Sequence, residues 1–159
     1  MKKVLISFFV LASCMAPSAM AQDNSLVFYS PHVDPHYVDM APAGLSVGDQ
    51  YTRHGDVMSD PKGPSIGEYY SQASLIFLDT AAKKSARTYK HEVMLPGGTI
   101  YTWDVVQTEH GEPVKPGHMH EGAIIGGTGK YAGIRGTYTI ELMSSGDVFK
   151  TSYSYWLGQ

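Results

Sequence analysis

Apolar and polar residues alternate along most of this chain with the two-residue period of a half-buried β-strand. The clearest case is 87–95, where Tyr89, His91, Val93 and Leu95 share a face opposite Lys90, Glu92 and Met94. Pro96-Gly97-Gly98 then predicts a hairpin turn into a strand over 99–107, with Tyr101, Trp103 and Val105 on one side. Residues 137–143 set Tyr138, Ile140 and Leu142 against Thr137, Thr139 and Glu141, and 148–157 align Phe149, Tyr153, Tyr155 and Leu157. Residues 120–125 form a further short run, apolar at its end. Less regular strands are predicted over 45–57 and 66–79, separated by the breaker Ser59-Asp60-Pro61-Lys62-Gly63-Pro64. The stretch 81–85 is too short and too poorly capped for a helix.

Seven or eight strands without a helix predict an all-β fold, a closed antiparallel barrel of about eight strands, because closure removes the sheet edges. Pro31, Pro35 and Pro42 set 22–44 apart as an N-terminal extension whose one short strand is Leu26-Val27-Phe28-Tyr29, leaving 45–159 as the barrel domain. Several strands carry apolar residues on both faces. Part of the barrel's outer surface is therefore expected to be buried in a homo-oligomer.

Composition changes this picture at the N-terminus. Lys2 and Lys3, an apolar run from Val4 to Ala12 and Ala19-Met20-Ala21 read as an export signal over 1–21, cleaved before Gln22. A periplasmic or secreted protein is expected. Leu11-Ala12-Ser13-Cys14 allows the other processing, a lipoprotein anchored to a membrane through Cys14; the A-x-A site is the better formed of the two. Cleavage leaves 138 of the 159 residues, enough for one core, and no second apolar run long enough to span a bilayer. Cys14 is the sole cysteine, so the processed chain has no disulfide, thiol nucleophile or thiolate metal ligand. Losing Lys2 and Lys3 takes the formal net charge from −3 to −5, which argues against nucleic acid as a partner. Eleven tyrosines and two tryptophans suit an aromatic-lined barrel and an aromatic ligand.

Between the strands ending at 125 and starting at 137 lies Gly126-Gly127-Thr128-Gly129-Lys130-Tyr131-Ala132-Gly133-Ile134-Arg135-Gly136. A phosphate cradle needs Gly-Lys-Ser/Thr opening a helix, whereas this segment opens a strand, so a structural corner is expected. Together with Leu45-Ser46-Val47-Gly48-Asp49 it resembles the paired motifs of the allene oxide cyclase and dirigent-protein barrel superfamily, in the same order and over about 45–157. The resemblance implies an eight-stranded barrel, usually trimeric, whose apolar lumen holds a hydrophobic or aromatic molecule. It also implies varied chemistry: ring closure on a fatty-acid epoxide, steering of radical or quinone-methide coupling, or cofactor-free demethylation of a phenazine. The cyclases carry an acid on the first strand, where Leu26-Val27-Phe28-Tyr29 has none, so the epoxide mechanism is not expected here.

In a small barrel an inward ionisable group is desolvated, a physical route to general acid or base catalysis. Asp56 and Glu68 flank the breaker turn and are candidate acids; Glu68 shares its face with Tyr70 and Gln72. His118 and His120 lie two apart on one face and are candidate proton carriers. Tyr70, Tyr89, His91, Tyr153 and Tyr155 are candidate substrate contacts through stacking and phenolic hydrogen bonds. No flavin, nicotinamide or nucleotide motif is present, and no cofactor is expected. The expected function is binding of a conjugated small molecule with acid–base isomerisation, cyclisation or tautomerisation. The alternatives are a non-catalytic dirigent-like template and a periplasmic metal binder using His118 and His120.

Overall fold

A computed structural model describes residues 24–109 and 115–158. The expected signal segment, with Cys14, lies outside the described residues. The elements are β1 (Asn24–Pro31), β2 (His36–Val38), β3 (Gln50–Met58), β4 (Ser65–Asp79), β5 (Lys84–Leu95), β6 (Gly98–Glu109), β7 (Met119–Gly127), β8 (Ile134–Leu142) and β9 (Val148–Leu157), with one 3₁₀ turn at Gly129–Tyr131. All pairings are antiparallel, in the order β1-β9-β8-β7-β6-β5-β4-β3-β2. A bridge between Tyr29 and Met58 joins β1 to β3 and closes an eight-stranded barrel, with β2 as an additional short strand along β3.

β1 corrects the expected domain boundary. It pairs with β9 along its whole length, from Asn24 opposite Tyr155 to Pro31 opposite Val148, and turns Leu26 and Phe28 inward. The barrel therefore starts near residue 24, not 45. A four-residue apolar run names no partner when that partner is the last strand of the chain. Of the expected extension, only the segment after Pro31 lies off the main barrel. Its fold is held by Asp49, whose buried carboxylate accepts hydrogen bonds from Tyr37 Oη (2.6 Å), Met40 N (2.9 Å) and Ser46 N (2.8 Å). The Tyr37 bond, first among these, pulls the Asp49 carboxyl below its ordinary range.

The turns β3–β4, β5–β6 and β7–β8 gather at one end of the barrel, and β4–β5 and β8–β9 at the other, where β6 also ends and β7 begins. The first end is plugged. Val57, Ile100, Tyr131 and Ile134 are buried there, with Leu26, Ile66, Leu95 and Tyr155 packed against them. The glycine corner locks this plug to the β5–β6 hairpin: Lys130 N donates to Gly97 O (2.8 Å), Thr128 N to Thr99 O (2.9 Å), and Thr99 N to Thr128 Oγ1 (3.0 Å). Gly129 has φ +57°, and a Cβ there would run into the Gly97 carbonyl. These backbone donors are spent on the hairpin, so the segment is the structural corner expected and not a phosphate cradle.

Candidate active site

Four neighbouring staves, β5 to β8, build a polar cluster halfway along the lumen. On β6 the inward residues are Ile100, Thr102, Asp104 and Val106, while Trp103 and Val105 face outward at 41% and 44% exposure. Asp104 is only 4% exposed. Pairing puts it opposite Tyr89 of β5, and puts Thr102 opposite His91. On the other side β7 contributes His120, whose Nε2 lies 3.1 Å from Asp104 Oδ2. His91, Asp104 and His120 each turn one ligand-type atom toward the others, and all three atoms fall within 4.8 Å.

Tyr138 completes the cluster because its partner residue has no side chain. It faces Gly122 across the β7–β8 pair, where an added Cβ would come within 2.5 Å of Tyr138 Cε1 and 2.7 Å of Asp104 Cβ. The ring fills the space a side chain would take and sits beside Asp104. Burial, reinforced by the Asp104 charge, holds the Tyr138 hydroxyl protonated far above its ordinary range. Burial also pushes the His91 imidazole down to about 4, overriding Asp104, which acts to raise it. His91 is thus neutral at neutral pH.

The cluster is unsatisfied. Among the described residues, six buried side-chain polar atoms lack a partner in good hydrogen-bond geometry: His91 Nε2, Thr102 Oγ1, both Asp104 carboxylate oxygens, His120 Nε2 and Tyr138 Oη, although Tyr138 Oη stands near enough to Thr102 and Asp104 for both to act on its proton. All six belong to this one cluster. The His120–Asp104 approach is close enough for an ion pair but lacks hydrogen-bond geometry. Native interiors rarely leave even one such group, because each costs about 1–3 kcal/mol.

Around the cluster the lumen is aromatic and open at its unplugged end. His91, His120 and Tyr138 line a cavity of about 80 Å³ with Phe28, Val93 and Tyr153, while Thr108, His118 and Phe149 stand toward the opening. Tyr89 stacks nearly parallel on His91, with centroids 5.8 Å apart, and Tyr138 meets His91 edge-on at 5.9 Å. Arg53 lines the lumen from β3, its Nε donating to Val33 O (3.1 Å).

The structure brings together five of the residues singled out in the sequence: Tyr89, His91, His118, His120 and Tyr153 all line the cavity. Asp56, Glu68 and Tyr70 do not, which corrects the acid candidates. Asp56 is exposed and accepts from Ser65 Oγ (2.9 Å). Glu68 accepts from Tyr70 Oη (3.2 Å) and lies 3.7 Å from His54, all on the outside of the barrel. The inward face of β4 is instead that of Tyr69, Ser71, Ala73 and Leu75, which are buried. Tyr69 and Tyr70 are adjacent, so aromatic content could not choose between the faces, and a bulge near Leu75 leaves both Ile76 and Phe77 exposed. Tyr155 turns inward but packs against the plug, away from the cavity.

Asp104, Tyr138 and Arg53 escaped the reading of candidate chemistry. Asp104 had one available signal, its alternation with Ile100, Thr102 and Val106. The more aromatic Tyr101, Trp103 and Val105 on the opposite face masked it.

The chain is a closed eight-stranded antiparallel barrel with a polar cluster among aromatic walls. No protein-family model matches the chain, and no curated protein matches it in sequence. Solved structures do match. Pyocyanin demethylase superposes with a TM-score of 0.62 at 18% identity, covering 84% of this chain and 99% of its own. A nonspecific heme-binding cyclase that catalyses a [4 + 2] cycloaddition in neoabyssomicin biosynthesis gives 0.67 at 19% identity, covering 89% and 70%. A pterocarpan synthase dirigent protein gives 0.58 at 14% identity, covering 94% and 100%. At such identities the likeness is one of fold.

Proposed function

We propose that this chain is a cyclase-type barrel enzyme that binds a largely apolar, conjugated small molecule in its lumen and moves a proton on it. The observation that carries this reading is the set of six buried polar atoms, none in good hydrogen-bond geometry, gathered among aromatic walls. A conjugated ligand bearing one or two oxygens or nitrogens satisfies both halves of that environment. The names of similarly folded proteins, two of them a cyclase and a demethylase, agree with chemistry on such molecules.

In this mechanism Tyr89, Tyr153 and Phe28 hold the ligand's ring system by stacking and edge contacts. A proton leaving an acidic C–H or O–H of the ligand passes to the Asp104–His120 pair. It returns at another atom of the conjugated system, so double bonds shift or a ring closes with no net change in composition. Tyr138, held protonated, donates a hydrogen bond to the oxygen on which negative charge develops. Export by the N-terminal signal and self-association through the outer apolar face, as a trimer by resemblance, belong to the same reading.

The test begins with native mass spectrometry of protein purified from its host, which identifies a retained compound for use in turnover assays. Asp104→Asn keeps the shape of the site and removes the proton acceptor, and turnover is expected to fall by about 10²–10⁴ with ligand affinity largely kept. Unchanged turnover in a folded Asp104→Asn protein would overturn the assignment. Loss of stereochemical bias with no intrinsic turnover in the parent protein would instead make the barrel a dirigent-like template.

A further inference from the structure

The three inward groups at the centre of the cluster have a property that proton transfer does not need. His91, Asp104 and His120 come from three adjacent strands, and their ligand-type atoms converge within 4.8 Å. One carboxylate and two imidazoles form a common donor set for a borderline divalent transition metal, and a poor one for calcium or magnesium, which prefer all-oxygen shells. Buried carboxylates are normally paired, hydrogen-bonded or bound to metal. Asp104 has a side chain 2% exposed and one close polar partner, His120 Nε2 at 3.1 Å, with neither oxygen in good hydrogen-bond geometry.

We propose that His91, Asp104 and His120 form a site for a single zinc-class divalent cation inside the lumen. The site goes beyond the proton-transfer reading and does not depend on it. Zinc ligand atoms lie about 2.0–2.2 Å from the metal, hence about 3.4 Å from one another in a tetrahedron. The His120–Asp104 pair already stands at 3.1 Å, so closure asks for side-chain adjustments of at most about 1.4 Å at the remaining contacts. Among the histidines and carboxylates of the described residues only these three converge, so the set supplies three ligands and leaves a fourth coordination position for an oxygen. This arrangement differs from the H-x-H pair expected in the sequence. His118 stands at the cavity mouth with its ring centroid 6.2 Å from that of His120, and it is not part of the converging set.

Occupation has a functional consequence. A bound cation takes the same lone pairs on Asp104 and His120 that the proposed proton transfer uses. Metal and acid–base turnover therefore exclude each other, and zinc inhibits by competing for the cluster rather than for the aromatic wall.

The experiment is calorimetric titration of the full processed protein, stripped with chelator, with zinc chloride alone and no organic ligand present. One zinc per chain is expected, with calcium giving no heat, and cobalt(II) giving the visible bands of a low-coordinate nitrogen–oxygen site. Asp104→Asn and His91→Asn are expected to weaken zinc by at least about 100-fold, more than the loss seen when an outer-shell partner is removed. His118→Ala is expected to leave zinc affinity within about threefold. Circular dichroism on each variant separates loss of the site from loss of the fold, and His120→Gln supplies an independent third variant. No zinc binding by the parent protein overturns the site. So does binding that survives Asp104→Asn and His91→Asn but is lost in His118→Ala, which would put the metal at the mouth. Because no substrate enters this titration, its failure is distinct from failure of the turnover assay.

Discussion

Gly122 shows how one missing side chain shapes the lumen. Its absent Cβ is the space occupied by the Tyr138 ring, so Gly122→Ala would crowd Tyr138 and Asp104 together. The expected cost is about 1–3 kcal/mol of stability, read by urea unfolding, with a matching loss of lumen ligand. Tyrosine burial gives a second test. Burial raises the Tyr153 and Tyr69 hydroxyls above their ordinary value of 10.0. A raised folded-state pKa contributes stability that is complete below pH 10 and is lost as pH climbs through the folded value. Alkaline absorbance titration should therefore show Tyr69 and Tyr153 keeping their protons until the fold gives way. All eleven ionising together near pH 10 in an intact protein would contradict the burial described. At this scale legibility depended on strand parity. Tyr89 and His91 were readable because 87–95 alternates cleanly and Val93 anchors the inward side. Asp104 was not, because β6 carries bulky apolar residues on both faces and only register against β5 reveals which one is enclosed.

The strands themselves were largely visible, since each long stave repeats its pattern over several residues and ends at a breaker. The hairpin at Pro96-Gly97-Gly98 and the corner at Gly126–136 are where local chemistry decides the turn. What the hydrophobic pattern alone did not show was β1's membership, although the family resemblance set Leu26 to Tyr29 against the first strand of the cyclases. Its apolar run is brief, prolines follow it, and its pairing with β9 is a contact between the two ends of the described chain. That membership is testable by truncation. A protein starting at residue 45 would leave β9 without its eight-residue partner and β3 without its bridge at Met58. It is expected to lose cooperative unfolding and dispersed amide resonances, whereas a protein starting at residue 22 keeps both. A well-folded product from residue 45 would restore the sequence-based boundary.

For the molecule as a whole, the outward face of β5 to β7 exposes Met94, Trp103, Val105, Met119 and Ile125, interleaved with Lys90, Glu92 and Glu121. Trp103 sits between Lys90 on one neighbouring stave and Ala123 on the other, close to the middle of that surface. If this face joins copies of the chain, Trp103→Glu is expected to reduce the mass measured by light scattering to that of a monomer, with lumen binding retained. An unchanged oligomer, or a parent protein that is already monomeric, would move self-association elsewhere or remove it. The sequence anticipated a closed barrel with apolar residues on both sides; it could not say which set was the lining.

The β1–β9 pairing also fixes an order of events. The first stave of the barrel to be synthesised is hydrogen-bonded along its length to the last, and its other edge touches β3 at a single bridge. No growing chain can close this barrel until its final strand has emerged. Contacts of such sequence separation make folding slow, and the loose first strand stays an open edge for as long as closure is delayed.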